Sequence, residues 1–147
     1  MKDRLEDLLA GRIEPGIYRL TQSPAADEIA ARAARHGWRC ARLDGRRIRS
    51  KAAFLDACAE ALAFPAYFGR NWDALADCLR DLSWAPAAAG HLVVYEDAGI
   101  FAAAAPADFV VALDVLRSAA AYRRAASAPL AVLLRRAGRA AALIPRL

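Results

Sequence analysis

Two aspartates, Asp73 and Asp77, stand four residues apart beside a loop rich in aromatic side chains, Tyr67, Phe68 and Trp72. Four-residue spacing puts both carboxylates on one face of a helix, one turn from each other. Their mutual repulsion costs a few tenths of a kcal/mol in an isolated helix, so helix propensity did not select the pair. Asp73 falls in the first turn, where the helix dipole favours a carboxylate; Asp77 has no such excuse. A general acid/base pair would need two carboxyls facing each other across a substrate, in environments that push their pKa values apart. Neighbours on the outside of one helix share one environment. No histidine or serine elbow stands near them, so no catalytic residue is assigned and the chain is not expected to be an enzyme. Carboxylates flanked by aromatic anchors are instead the makings of a recognition surface for a cationic partner.

The elements around the pair are legible. Pro65 disfavours continued helix at Phe64, Gly69 is expected to supply a backbone turn closed to other residues, and Asn71 is placed to cap the helix that follows. On that helix Leu75, Cys78, Leu79 and Leu82 recur at three- and four-residue steps and form the buried face. The preceding helix starts after Ser50 and runs to about Ala63, with Phe54, Leu55, Cys58 and Leu62 inward.

Earlier in the chain, residues 3–10 read as a short helix closed by Gly11 and residues 16–20 as a strand. Ser23 and Pro24 read as N-cap and first helical position of a helix over residues 25–36, ended by Gly37. Trp38 to Leu43 alternates like a half-buried strand, and Asp44-Gly45 makes a turn. Strand, helix, strand within about thirty residues is a βαβ unit, with parallel strands and a right-handed crossover. Later, His91 to Glu96 is a strand, Ile100 to Ala105 a brief helix, and Pro106 opens a longer one that buries Phe109, Leu113, Leu116 and Ala120. Pro129 to Leu134 reads as a last strand buried on both sides. Beyond it, Arg135, Arg136 and Arg139 mark a basic, solvated tail.

At 147 residues the chain suits one domain with its own core. The N-terminus carries both signs of charge rather than a signal-peptide pattern, and no apolar run is long enough to span a bilayer, so a cytoplasmic protein without membrane contact is expected. Cys40, Cys58 and Cys78 lack metal-ligand spacing, and so do His36 and His91; no metal or cofactor is expected. The net charge of +5 hides a pattern. Residues 1–50 hold 11 Lys/Arg against 7 Asp/Glu, residues 51–97 hold 3 against 7, and residues 98–147 hold 7 against 2. The aromatic loop and its aspartates lie in the one acidic region, so their complement should be basic.

The run Tyr67-Phe68-Gly69-Arg70-Asn71-Trp72-Asp73-Ala74-Leu75-Ala76-Asp77-Cys78-Leu79 resembles the signature of the barstar family, intracellular inhibitors of the bacterial ribonuclease barnase. The likeness begins at Leu43-Asp44-Gly45, continues through Ile48-Arg49-Ser50, and is densest from Leu62 to Leu79. It implies an α/β fold, a small parallel sheet packed with helices, to which this chain adds an N-terminal strand and helix. The resemblance divides the single domain into an extension over residues 1–37, a barstar-like core over 38–134 and a tail over 135–147.

It also implies a function. The loop and short helix of such inhibitors enter the active site of a ribonuclease, and their aspartates occupy the positions of substrate phosphates. By motif position Asp77 is the principal phosphate mimic, Asp73 its helper and Tyr67 the aromatic anchor, with Phe68, Asn71, Trp72 and Ala76 completing the surface. The expected partner is a barnase-like ribonuclease or ribonuclease toxin with a basic active site. Some positions depart from barstar: Ala76 replaces a tryptophan, Trp72 a leucine and Asp81 a glycine, and Ser118 falls where barstar has a further acidic contact. Two other readings stay open. Arg39, Arg42, Arg46, Arg47 and Arg49 with the tail could serve a nucleic-acid-binding module, which the absence of interleaved aromatic residues disfavours, or the fold could be kept as a non-inhibitory interaction module.

Overall fold

The computed structural model describes residues 3–21 and 24–147. Four strands, β1 (Ile17–Arg19), β2 (Trp38–Asp44), β3 (Gly90–Glu96) and β4 (Leu130–Leu134), form one parallel sheet in the order β1-β4-β3-β2. Among the described residues six α-helices accompany it: α1 (Arg4–Leu9), α2 (Ala26–Arg35), α3 (Lys51–Ala61), α4 (Trp72–Asp81), α5 (Gly99–Ala104) and α6 (Pro106–Tyr122). This is the α/β architecture expected.

A parallel sheet needs both faces covered, and the alternation along its inner strands shows how that is done. Val93 and Tyr95 of β3, with Leu130, Val132 and Leu134 of β4, face the cluster that holds Phe54, Leu79, Phe101 and Phe109 from α3 to α6. Leu92, Val94, Ala131 and Leu133 face the other way, onto Leu5, Leu8, Ile29 and Ala33 of α1 and α2. The N-terminal segment thus supplies one whole layer. Trp38 ties that layer to β2 by donating its indole N–H to the Leu9 carbonyl at 2.9 Å. Arg32 to Asp3 at 2.7 Å and His36 to Glu6 at 2.9 Å join α1 to α2.

Local chemistry explains most element ends. Asp3 caps α1 by accepting the Glu6 N–H, and Ser50 caps α3 through Ala53 N–H at 3.1 Å. Gly45 follows β2 where a Cβ would lie 1.9 Å from the Glu96 carbonyl oxygen, so only glycine allows the backbones to pass.

Two expectations need correction. α2 begins at Ala26 after Ala25, so Pro24 lies outside it; the Pro24 carbonyl instead accepts from Arg135 Nη1 at 2.5 Å. The expected cap, Ser23, lies outside the described residues. The strands of the N-terminal βαβ unit run parallel as expected, with β4 and β3 between them. And the C-terminal segment is not a solvated tail. Ala137, Ala141 and Ile144 are buried, and Arg19 N–H donates to the Pro145 carbonyl at 2.7 Å while Leu147 N–H donates to the Arg19 carbonyl at 2.8 Å, closing the outer edge of β1. Its composition is basic, but small apolar residues between the arginines carry the packing.

Candidate partner-binding site

The loop of residues 62–71 is tied at several points before it reaches α4. Trp84 donates its indole N–H to the Leu62 carbonyl at 3.0 Å, and Phe64 stands edge-on to both Phe68 and Trp84, with ring centres 4.9 and 5.8 Å apart. Arg70 forms a two-pronged ion pair with Asp56 of α3 at 2.9 and 3.0 Å. Arg70 also takes the left-handed turn, at φ 52°, a role the sequence suggested for Gly69. Gly69 does not adopt a positive φ; Arg70 does, with its guanidinium bonded to Asp56.

Asn71 then caps α4 as its position implied: its Oδ1 accepts the Ala74 N–H at 2.8 Å. Leu75, Cys78 and Leu79 are buried, and Leu82 ends the helix in a left-handed conformation at φ 50°. The far end is clamped from α6's side. Arg123, only 6% exposed, donates to the carbonyls of Arg80 and Asp81, both at 3.0 Å, and to that of Ala128 at 2.5 Å. A guanidinium at a helix C-terminus satisfies orphan carbonyls and opposes the negative end of the dipole. α4 is therefore fixed at both ends.

On this fixed helix Asp73 and Asp77 are exposed, with Ala76 half-buried between them. Tyr67, 74% exposed, stands at the crest of the loop. Phe68 and Trp72 are half-buried, Phe68 against Phe64 and Trp72 against Phe54 at 6.1 Å, with Lys51 Nζ over the indole at 5.4 Å. They support the surface more than they project from it. Asp73 has no ion-pair partner among the described residues. Asp77 accepts from Arg80 Nη2 at 2.6 Å and keeps 72% of its side chain exposed. An exposed pair three residues apart contributes only about 0.2–0.5 kcal/mol, so a desolvated cation on a partner can displace it. Ser118 is exposed on α6 and adds no charge.

The sequence did not single out Arg80, Tyr122 or Arg123. The three-residue step from Asp77 to Arg80 was there to be read; the meeting of Arg80 with Tyr122 and Arg123, some forty residues away, had no local signal.

Of the arginines considered for nucleic acid, Arg39 lies near the start of β2, while Arg42, Arg46, Arg135 and Arg136 line a cleft of about 560 Å³ at the opposite, carboxyl ends of β2, β3 and β4. There they interleave with carboxylates: Arg42 pairs with Asp27 at 2.9 Å, Arg46 with Asp44 at 3.4 Å, and Arg136 with Asp97 at 2.5 Å and Glu96 at 3.4 Å. Arg136 holds the Asp97 carboxyl below the usual range. Such pairing disperses the positive potential that phosphate binding needs.

A family model described as barstar (barnase inhibitor) matches residues 38–135, about two thirds of the chain and all of the loop and α4. The chain belongs to the barstar family. Within that family, this chain presents the paired aspartates of α4 on a helix anchored by Asn71 and Arg123. None of the curated proteins matches it. Among solved structures it is similar to the ORC2 protein of Aeropyrum pernix in its ADP form, with a TM-score of 0.67 and 13% identity over 95% of this chain. The chain spans 41% of that structure's length, and the likeness is one of fold. Among the described residues no helix is long and apolar enough to cross a membrane.

Proposed function

We propose that this barstar-family chain inhibits a small basic ribonuclease of the barnase kind, covering its active site with the outer face of α4 and the Tyr67 loop. Asp77 and Asp73 stand in for substrate phosphates. The observation that carries the reading is the anchoring of α4: a carboxylate pair on a helix fixed at both ends loses little freedom on binding and forms charge-assisted bonds to guanidinium and ammonium groups. Tyr67 offers a large, exposed ring beside them. The protein acts as a binding partner rather than an enzyme, and as an antidote it would serve in the cytoplasm of the cell that makes the nuclease.

The test is inhibition of RNA cleavage by a panel of small basic ribonucleases, barnase among them. Asp77→Ala is expected to weaken inhibition by at least a hundredfold and Asp73→Ala by about tenfold, in keeping with loss of charge-assisted hot-spot contacts. Both variants should unfold within a few degrees of the parent. Undiminished inhibition by Asp77→Ala would remove the phosphate-mimic role.

A further inference from the structure

Arg80 sits inside the acidic surface just described. Its Nη2 lies 2.6 Å from Asp77 Oδ1, and its guanidinium carbon lies 5.6 Å from the centre of the Tyr122 ring, itself 65% exposed. The arrangement is built from the backbone outward. Arg123, the residue after Tyr122, donates to the carbonyl of Arg80 itself, so the end of α6 and the end of α4 are bonded at the point where the two side chains meet. Arg80 therefore has a carboxylate on one side and an aromatic face on the other, and its position follows from a buried clamp.

We infer that Arg80 is a specificity-determining residue, restricting the partner to a cationic cleft that carries an acidic side chain at its rim. The inference rests on the proposed function. A nuclease cation that approaches Asp77 comes close to the Arg80 guanidinium, and like charges brought together as water leaves an interface suppress association. A carboxylate placed opposite Arg80 turns the repulsion into a charge-assisted bond, and Tyr122 supplies an apolar platform beside it. A uniformly basic cleft lacks that compensation. The partner class is thus narrower than the two aspartates alone would select.

Barnase serves as the probe, with dissociation constants measured for the full chain and for Arg80→Ala, Arg80→Glu and Asp77→Asn. Removing the cation is expected to tighten binding to barnase at least tenfold in Arg80→Ala and further in Arg80→Glu, with thermal unfolding little changed. If neither variant binds barnase more tightly than the parent, including the case in which none binds measurably, the inference is overturned. The function is judged separately. Should the Arg80 variants gain nothing while Asp77→Asn still weakens inhibition of any ribonuclease in the panel, only the selectivity claim falls; should Asp77→Asn be silent against all of them, the phosphate-mimic function falls.

Discussion

Single side chains divide sharply in how visible they were. Asp73 and Asp77 declared themselves because helical spacing converts sequence distance into a shared face, and both are exposed. His91 gave no such sign. It is the second residue of β3, is 2% exposed, and its Nδ1 lacks a hydrogen-bond partner. Burial first, then the nearby cations of Arg123 and Arg39, pushes its pKa down to about 4 from 6.5. The folded state thus refuses a proton that the unfolded chain accepts. Its contribution to stability is complete above pH 6.5 and is lost as the pH falls toward 4. By that shift the loss is on the order of 3 kcal/mol. Urea unfolding followed between pH 7 and 4 should show the fall, and His91→Leu should flatten it; an unchanged slope in the variant would place the acid sensitivity elsewhere.

Among the elements, the starts of α3 and α4 were legible and the far end of α4 was not. Ser50 and Asn71 cap α3 and α4 where residue type and position indicated, because a cap acts over three residues. Asn71→Ala should cost about 1 kcal/mol, read by thermal unfolding, and should also weaken inhibition by loosening the first turn that carries Asp73. The C-terminal end of α4 depends instead on a residue from beyond α6. Replacing Arg123 with Leu strands the carbonyls of Arg80, Asp81 and Ala128, and should cost about 2–4 kcal/mol in a urea titration. Loop conformation was the other blind spot. The left-handed turn fell to Arg70 rather than Gly69, and residue type alone did not show it.

For the molecule as a whole, the βαβ pattern and the barstar resemblance implied an α/β protein with a parallel sheet, and the strand order escaped them. Local pattern says that Leu130 to Leu134 is buried on both sides; it cannot say that this strand separates β1 from β3. The role of the first 37 residues follows from that arrangement. Without α1 and α2, the side chains of Leu92, Val94, Ala131 and Leu133 would lose their cover. A chain lacking residues 1–37 should therefore bind a hydrophobic dye and unfold without a sharp transition, even though the loop and α4 remain present. Cooperative unfolding of that shortened chain would mean the family core is self-sufficient.

The interleaved strand order also sets a timetable. β2 and β3 can pair as soon as both have left the ribosome, and α4 between them is clamped once α6 and Arg123 have followed. β1, made early, has nothing to pair with until β4 arrives more than a hundred residues later, and its outer edge waits for Arg146. Contacts so distant along the chain slow folding. By sequence separation the N-terminal strand waits longest for its neighbour, whereas the acidic helix meets its clamp within some forty residues.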